Sequence, residues 1–424
     1  MKNNRPASCL DPFEADAISV DEARQIIADN ITPISVSETV AVRESLKRYL
    51  ATDIISPINV PPHTNSAMDG YALAGNDLPT NKPVDYKVSG ASFAGVPSTQ
   101  TYQPGTVVRI MTGGVMPAGT DTVIPQELVE KLDDQTIRLE AEHTAGQNVR
   151  HPGEDLALGK KIFDKGRKLS AADIGILASL GFGEIEVLVR PKIAFFSTGD
   201  ELRSIGDELK EGEIYDSNRY TLFAMLKNID AEIIDLGVIP DTEEDIQDAF
   251  KRASEESDIF ISTGGVSVGE ADYIKPTLKL LGETHFWKLA MKPGRPLTYG
   301  TVKHGKGQAK FFGLPGNPVA VMVTFLQFVQ PAINYLASGK QVKPIFLKAT
   351  SEENIKKRPG RTEYIRGVFE QTPDGGFIVK RTGKQGSGIL MSMSLANCFI
   401  HFDADSSGVN QGDNVEILPF EGVV

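Results

Sequence analysis

The chain has few of the residues on which several common kinds of site depend. Its 424 residues include only two cysteines, Cys9 and Cys398, and six histidines. Two cysteines cannot build a disulfide framework, which favours a reducing compartment. There is no Cys-x-x-Cys pair, no HExxH or other zinc spacing, and no G-x-S-x-G turn of a serine hydrolase. Any metal that the chain binds is therefore expected among Asp and Glu side chains.

Basic residues and uninterrupted apolar runs are also scarce. Lys and Arg number 44 against 56 Asp and Glu, which gives a net charge of −12. Nucleic-acid binding depends on a basic surface, so no nucleic-acid partner is expected. The first 16 residues lack the apolar core of a signal peptide, and the most apolar stretch, 318–337, is interrupted by Gln327, Gln330 and Pro331. That stretch predicts a buried helix, and we expect a cytoplasmic protein without a membrane partner.

Glycine, in contrast, is frequent where apolar segments end. Four segments predict buried strands that run into polar or glycine loops: KIAFFSTGDEL (192–202), AEIIDLGVIPD (231–241), DIFISTGG (258–265) and KFFGLPGNP (310–318). Helical patterns at 216–228 and 242–253 separate the first three. Alternation of strand and helix predicts a parallel sheet, and such sheets bind ligands at the carboxyl ends of their strands. We therefore expect all four loops to meet at one edge.

The loop after the third strand has the composition of an anion and metal site. Gly264 and Gly269 let backbone N–H groups turn toward a ligand, while Glu270 and Asp272 supply oxygens suited to Mg²⁺. The loop is not a Walker A motif, since Glu270 stands where the lysine is required. The alternative is that glycine and proline merely end the strands. The ligand-binding candidates of the loops are Ser197, Thr198, Gly199, Gly264, Gly265, Ser267, Pro315, Gly316 and Asn317.

A basic run follows the carboxylate loop. WKLAMKPGRP (287–296) contains Lys288, Lys292 and Arg295. Such a run is often only a solvated face. Its position directly after the carboxylates favours a role in neutralising an anionic ligand.

The pattern along the whole chain predicts a multidomain α/β plus β protein. A central three-layer α/β domain with a mostly parallel sheet is expected over 190–340. The segment 61–149, dense in Gly, Pro and Thr with short β-branched runs, predicts an inserted small β-rich domain. Helical patterns on either side of it, at 19–31 and 170–182, predict a discontinuous helical N-terminal domain of residues 1–60 with 150–189. Strand-like runs around the turn 372–376 predict a C-terminal β domain over 341–424.

Seven motifs in this order closely resemble the molybdopterin molybdenumtransferase family, the bacterial MoeA-type proteins related to the C-terminal part of gephyrin. They are NSAMDGYAL (65–73), RIMTGGVMPAGTDTVIPQE (109–127), NVRHPGEDL (148–156), FFSTGDEL (195–202), ISTGGVSVGEADY (261–273), FWKLAMKPGRP (286–296) and FFGLPGNPVAV (311–321). The resemblance extends from about residue 15 to the end. GKQGSGILMSMSLANCF (383–399) matches the family's final domain less sharply.

The resemblance implies a specific reaction. Members of the family bind adenylylated molybdopterin and molybdate, cleave the phosphoanhydride to release AMP, and leave molybdenum on the pterin dithiolene, with Mg²⁺ as cofactor. The implied catalytic residues are Asp69, Thr112, Glu201, Asp241 and Asp272. Asp241 and Asp272 are the implied metal ligands, together with Glu201 and Asp155.

The resemblance also implies further substrate contacts and partners. The residues in matching positions are Arg150, Lys288, Lys292, Arg295, Arg361, Arg366 and Ser387. The family often has Lys where Arg295 stands, and a guanidinium contacts phosphate differently from an ammonium. A homodimer with an active site shared between chains is implied, and a molybdopterin adenylyltransferase is a candidate partner.

Two other functions stay open from the sequence. The central domain alone also resembles molybdopterin adenylyltransferases, which need neither NSAMDGYAL nor a C-terminal β domain. A gephyrin-like scaffold that binds a receptor peptide would need an exposed apolar groove in 340–424, and no long apolar run is present there. Molybdate and tungstate, both tetrahedral dianions, cannot be told apart from the sequence.

Overall fold

The computed structural model describes residues 17–99, 101–265, 273–286, 288–305 and 307–420. Within these residues the chain forms two compact units. The first is drawn from Met1–Glu38, Lys47–Tyr49 and Leu188–Val424, and the second from Thr39–Leu46 and Leu50–Val187. The finer division into four domains stays a prediction.

Six strands form the central sheet of the first unit. They are β1 (Lys192–Thr198), β2 (Glu232–Ile239), β3 (Ile259–Thr263), β4 (Gly282–Phe286), β5 (Thr298–His304) and β6 (Gly307–Leu314). The order across the sheet is β2-β1-β3-β6-β5-β4. β2, β1, β3 and β6 are mutually parallel, whereas β5 runs antiparallel to both β6 and β4. The parallel sheet is therefore confirmed for the four strands that the sequence pattern indicates, and their carboxyl ends share one edge.

Eight α-helices lie in the described residues. They are α1 (Val20–Asn30), α2 (Ala171–Ser179), α3 (Ser217–Lys227), α4 (Glu243–Glu256), α5 (Ile274–Leu281), α6 (Pro318–Thr324), α7 (Gln330–Ser338) and α8 (Met391–Ser394). Buried residues of α4 and α5 pack on one face of the central sheet, and those of α1, α3, α6 and α7 pack on the other. Helices on both faces explain why the four parallel strands are apolar on both sides. This is the predicted three-layer arrangement.

Local sequence explains where these helices begin and which side they bury. Thr242 caps α4, because its hydroxyl oxygen accepts a hydrogen bond of 3.2 Å from the backbone N–H of Asp245. One face of α4 carries Ile246 and Phe250, both fully buried. The Phe250 ring lies 5.1 Å from that of Phe260 on β3, measured between centroids, in an edge-to-face arrangement. Replacing such a buried ring with alanine costs about 3–5 kcal/mol.

The apolar stretch that begins at Pro318 forms one continuous helix to Ser338, long and apolar enough by length and composition to cross a membrane. Most of it is buried inside the first unit, so the predicted buried helix is confirmed. Between α6 and α7 the helix widens into a π-helical turn, Phe325–Val329. Pro331, the second residue of α7, lacks a backbone N–H, so the wider turn accommodates the break in the hydrogen-bond ladder.

The last part of the first unit is a second six-stranded sheet. Its strands, in spatial order, are Met291–Lys292, Thr362–Gln371, Phe377–Arg381, Leu347–Ser351, Asn414–Pro419 and Cys398–Phe402. Thr362–Gln371 also pairs with Cys398–Phe402, so five of the strands close on themselves as a small barrel. Cys398 is buried and forms no disulfide. Ile355–Lys356 pairs with Gly408–Val409, and Leu202–Arg203 pairs with Ile214–Tyr215.

The second unit is built mainly from short strands. Its sheet has the spatial order Thr122–Pro125, Gly70–Leu73, Thr106–Ile110, Val84–Ser92, Thr136–Leu139 and Val129–Lys131. Two smaller antiparallel pairs join Asn65–Ser66 to Val149–Arg150 and Ile54–Ile55 to Lys161–Phe163. Short 3₁₀ turns lie at Val42–Glu44, Gly75–Asp77 and Gln126–Leu128, and the remaining strands in the described residues are Ser37–Ala41 and Glu184–Leu188. Ser170 begins α2 through a reciprocal capping box with Asp173.

The short segment Lys47–Tyr49 belongs to the first unit although segments of the second unit flank it, and it contains a buried arginine. Arg48 is 2% exposed and donates hydrogen bonds to the Leu188 carbonyl (2.7 Å) and to Glu38. Its Nε also lies 3.2 Å from a carboxylate oxygen of Asp230. Close by in the chain, the Val189 N–H donates to the Val36 carbonyl at 3.1 Å. The two chain segments that flank the second unit are thus bonded to each other.

Candidate functional site

The carboxyl edge of the central sheet brings the predicted loops together. Thr198, the last residue of β1, donates a hydrogen bond of 3.1 Å from its hydroxyl to the Asp241 carboxylate, which follows β2. Neighbouring Ser197 is fully buried, and its hydroxyl lies 2.9 Å from that of Thr263 on β3. Ser197 therefore joins two strands inside the sheet, while Thr198 reaches the edge.

Glycines let the loops after β1, β3 and β6 touch. Gly264 has φ +87°, and a Cβ built on it would lie only 2.3 Å from the Thr198 carbonyl oxygen. Its N–H donates to the Leu314 carbonyl at 3.3 Å, which ties the loop to the end of β6. A Cβ on Gly316 would lie 3.9 Å from the Gly264 Cα. Only glycine fits at Gly264, because any side chain would push the loops apart.

A residue that the sequence analysis did not single out supports the loop after β6. Asn218, near the start of α3, donates from its side-chain amide to the Gly316 carbonyl at 2.7 Å. Asn218 is buried, and no donor among the described residues reaches its Oδ1. The sequence carried one weak signal, an amide in the first turn of a predicted helix. Nothing in its spacing pointed to a loop almost a hundred residues away.

Asp241 is held in an environment that disfavours its charge. Burial is the main cause that raises the pKa of Asp241, and the nearby carboxylates of Asp200 and Glu201 raise it further. The hydrogen bond from Thr198 opposes this rise. Glu201 is exposed, and its carboxylate folds back over Gly199, where a Cβ would lie 2.7 Å from Oε2. The charges of Asp200 and Glu201 therefore disfavour the charged form of Asp241, and a cation at this edge would relieve that repulsion.

The donor set of this edge fits a magnesium ion held partly by substrate. Among the described residues, no three His, Cys, Asp or Glu side chains are grouped closely enough to hold a metal ion by themselves. Mg²⁺ commonly takes one or two carboxylates and completes its shell with water and substrate phosphates. Asp241 and Glu201 could supply that number. Asp272, Ser267, Gly269 and Glu270 lie outside the described residues.

The basic run lies at the same end of the sheet. β5 is antiparallel to β6, and its first residue, Thr298, pairs with Gly313, just before the loop that holds Gly316. The run therefore ends where β6 ends. The Lys292 Nζ lies 3.4 Å from a carboxylate oxygen of the mostly buried Glu363. Lys292 is thus half of an ion pair with the final sheet, and part of its charge is already balanced.

The other basic candidates of the first unit differ in exposure. Lys288, Arg295 and Arg361 are partly exposed. The Leu289 N–H donates to the Arg295 carbonyl at 2.8 Å, so the basic run folds back on itself. Residue 361 precedes the strand that pairs with Lys292. These cations therefore lie around the short pairing of the strands Met291–Lys292 and Thr362–Gln371.

Arg366, on the strand Thr362–Gln371, is hydrogen-bonded to the turn before α8 that contains Ser387. Arg366 is 2% exposed, and its guanidinium donates to the Gly386 carbonyl and to the Ser392 hydroxyl, both at 3.1 Å. Burial lowers the pKa of Arg366 to about 10. The next residue, Ser387, accepts at its carbonyl a hydrogen bond of 3.1 Å from the Val319 N–H in α6. The turn thus lies against the helix that follows Asn317.

In the second unit the structure brings Asp69 and Thr112 together. One carboxylate oxygen of Asp69 accepts hydrogen bonds from both the backbone N–H (2.7 Å) and the hydroxyl (2.8 Å) of Thr112. These two bonds, with a smaller contribution from Arg109, lower the pKa of Asp69. The carboxylate is therefore oriented and ionised. The two residues are 43 positions apart, and the family resemblance implied that each is catalytic without predicting their contact.

The remaining candidates of the second unit are not joined to that pair. Arg150 is exposed and ends the short strand that pairs with Asn65. Asp155 is also exposed, and its backbone N–H donates to the Val60 carbonyl at 3.0 Å. Each is accessible to a ligand, and no side-chain hydrogen bond or ion pair with another described residue fixes either side chain.

Comparison with family models accounts for most of the chain. Residues 18–181 match the MoeA N-terminal region (domain I and II), residues 196–335 match a probable molybdopterin binding domain, and residues 348–420 match the MoeA C-terminal region (domain IV). The three matches follow one another without overlap. The second of them contains the whole carboxyl edge described above.

Similar proteins match over nearly the full length. A molybdopterin molybdenumtransferase of Haemophilus influenzae is 40% identical, with 95% of this chain and 98% of that protein covered. The gephyrin of Dictyostelium discoideum is 33% identical over 94% of this chain, which spans 62% of that longer protein. The crystal structure of a molybdopterin biosynthesis moeA protein from Pyrococcus horikoshii superimposes with a TM-score of 0.81 at 30% identity, covering 96% of this chain and all of that one.

Proposed function

Because this chain belongs to the molybdopterin molybdenumtransferase family and is an enzyme of molybdenum cofactor biosynthesis, we propose that it inserts molybdenum into adenylylated molybdopterin. In this reaction water cleaves the phosphoanhydride and AMP leaves. The two thiols of the dithiolene then bind molybdenum, and one oxygen of molybdate leaves as water with the two thiol protons. The observation that carries the proposal is the convergence of Thr198, Asp241, Gly264 and Gly316 at one sheet edge. Backbone N–H groups, hydroxyls and carboxylates at such an edge suit a phosphorylated ligand.

We assign the basic residues to charge neutralisation. The substrate carries phosphates, and molybdate is a dianion, so the two substrates repel each other in the absence of cations. Lys288, Lys292 and Arg295 lie at the end of the sheet that carries the edge. Hydrogen bonds from cations to phosphate oxygens are shorter and stronger than neutral ones. Lys292 exchanges its bond to Glu363 for one to substrate in this proposal.

Asp241 and Glu201, with Asp272, would hold Mg²⁺. When bound, the ion polarises the anhydride and stabilises the departing phosphate charge. The residues themselves have defined tasks. Thr198 orients the Asp241 carboxylate. Burial, and to a lesser extent the charges of Asp200 and Glu201, raise the pKa of Asp241, and a bound cation would favour its charged form.

We further propose that the enzyme acts as a cytoplasmic homodimer in which Asp69, Thr112, Arg150 and Asp155 complete a partner's site. The oriented carboxylate of Asp69 supports this assignment, because its Thr112 contacts fix it without shielding the residue from solvent. Sedimentation of the purified protein at several concentrations tests the dimer. A monomer at all micromolar concentrations would contradict it.

The decisive experiment incubates the purified protein with adenylylated molybdopterin and molybdate and follows AMP by chromatography. AMP release is expected only with Mg²⁺ present and to stop when EDTA is added. Asp241→Asn is expected to lose activity, whereas Asp248→Asn, which changes an exposed carboxylate on α4, is a matched control that keeps it. AMP release that continues after EDTA is added would contradict the proposed role of Mg²⁺. No AMP release from the wild type would contradict the proposed reaction itself.

A further inference from the structure

The turn Gln385–Ser387, which follows the strand Phe377–Arg381 of the final sheet, contacts the helix that begins after the Gly316–Asn317 loop. The Ser387 carbonyl accepts the Val319 N–H of α6 at 3.1 Å. A Cβ built on the next residue, Gly388, would lie 3.9 Å from the Asn317 side-chain oxygen. Asn317 and Gly316 form the loop after β6. Displacement of the turn would therefore free the first turn of α6 and the loop that precedes it.

Arg366 fixes this turn through both its side chain and its backbone. The guanidinium donates to Gly386 and Ser392, both at 3.1 Å. The Arg366 N–H donates to the Gln385 side-chain oxygen at 2.9 Å, and the Gln385 amide donates back to the Arg366 carbonyl at 3.1 Å. Four hydrogen bonds thus converge on one residue of the barrel. They hold the segment on both sides of Ser387.

This arrangement is costly for a residue that only stabilises the fold. Arg366 is 2% exposed, and its hydrogen-bond acceptors in the described part of the chain are a carbonyl and a hydroxyl, with no carboxylate among them. Burying a cation without a counterion costs several kcal/mol, and apolar replacements of buried ionic groups are often neutral or stabilising. Retention of the guanidinium here therefore points to a geometric task. The task that its contacts define is the position of the turn.

We propose that Arg366 is a positioning residue for the substrate edge: it holds the turn Gln385–Ser387, which in turn holds the start of α6 and the Gly316–Asn317 loop. Arg366 acts through this turn and does not contact substrate. The inference rests on the proposed function only in that it treats the Gly316–Asn317 loop as a substrate contact. Asn218 also holds this loop, through its 2.7 Å hydrogen bond to the Gly316 carbonyl.

The first test uses the free protein and needs no activity. Hydrogen exchange of the peptide that spans 316–322 is compared in wild type, Arg366→Met and Val379→Ala. Val379 lies in the barrel core, fully buried, and its truncation is a control for lost stability of the same domain. We expect exchange at least about tenfold faster in Arg366→Met, which corresponds to about 1.4 kcal/mol of lost local stability, and unchanged exchange in Val379→Ala. Equal exchange in wild type and Arg366→Met would overturn the proposal.

The second test separates positioning from direct contact. In the AMP-release assay, Arg366→Met should lower kcat/KM by about 10- to 100-fold, because a small misplacement of a binding group has that effect. Arg366→Lys, which can still donate to Gly386, should recover part of both the activity and the exchange protection. A loss of substrate affinity with unchanged exchange would mean direct contact and would refute the proposal. If the wild type releases no AMP, the proposed function fails while the exchange test still decides the role of Arg366.

A second pair of variants covers the case in which Arg366→Met does not fold. Ser392→Ala and Gln385→Leu each remove one anchor of the turn and leave the guanidinium in place. Each is expected to raise exchange in 316–322 by less than Arg366→Met does. Unchanged exchange in both variants would overturn the proposal, because the turn would then be held without these anchors.

Discussion

Substituting alanine at Gly264 tests the close approach of the loops at the sheet edge. Gly264 has φ +87°, and its added Cβ would lie 2.3 Å from the Thr198 carbonyl oxygen. An L-residue in the left-handed region costs about 1–2 kcal/mol. The overlap is with backbone, which cannot rotate away, so strain of about 1–3 kcal/mol is added. We expect Gly264→Ala to lose about 2–5 kcal/mol of stability.

Gly265→Ala is the matched control. Gly265 also has positive φ (+61°), but its Cβ would meet the end of a flexible side chain, the Ile274 Cδ1 at 2.8 Å. We expect this variant to lose only the conformational cost of about 1–2 kcal/mol. Calorimetric melting temperatures of the two variants and the wild type give the comparison, and AMP release reports on the edge itself. A Gly265→Ala protein that melts at or below the temperature of Gly264→Ala would refute the reasoning.

Four further predictions concern the carboxylates. Asp241→Asn should lower AMP release by about a hundredfold or more, as for removal of a group that stabilises developing charge. Because the folded-state pKa of Asp241 is raised, its ionisation opposes folding at pH 7; Asp241→Asn should therefore melt above wild type at pH 7, and the difference should vanish as pH falls to about 4. A lower melting temperature for Asp241→Asn at pH 7 would contradict this. Thr112→Val removes one of two hydrogen bonds to Asp69 and should raise the pKa of that carboxyl, measured by NMR titration, whereas Thr112→Ser should leave it low. Re-formed mixtures of inactive Asp69→Asn and Asp272→Asn chains should regain about one quarter of wild-type AMP release if two chains share each site. No recovery in proven mixed dimers would place both residues in one chain's site.

Sequence periodicity and loop composition were sufficient to predict the parallel part of the sheet. The four segments that end in polar or glycine loops became β1, β2, β3 and β6. Three of them, β1, β3 and β6, are mostly buried, and strands buried on both faces leave continuous apolar runs. The antiparallel strand β5 was not predicted. Its sequence, TYGTVKH, mixes polar and apolar residues without a clear period. Its direction follows from the tight connection to β6, which only the structure reveals.

The candidate site was predicted less completely, since its contacts join distant segments. Thr198 and Asp241 could be placed together because parallel strands share a carboxyl edge. The hydrogen bond from Asn218 to the loop after β6 and the anchoring of the Ser387 turn by Arg366 could not be predicted. Both contacts depend on how separate elements pack together, and the spacing of residues in the sequence does not indicate this packing. The family resemblance implied that Arg366 contacts substrate, whereas its burial and its hydrogen-bond partners favour an indirect role through the turn Gln385–Ser387.

The bond between Val189 and Val36 has a consequence for how this chain can be divided. The segments that leave and re-enter the first unit are neighbours, 3.1 Å apart at that hydrogen bond. A gap of this size can be spanned by a very short linker. Apart from Lys47–Tyr49, residues 39–187 make up the second unit, and we expect that a short loop in their place would leave the ends of the first unit where they already are. Such an excised protein would also lack Arg48. This residue lies within 39–187 in the sequence, but its contacts with Leu188 and Asp230 belong to the first unit.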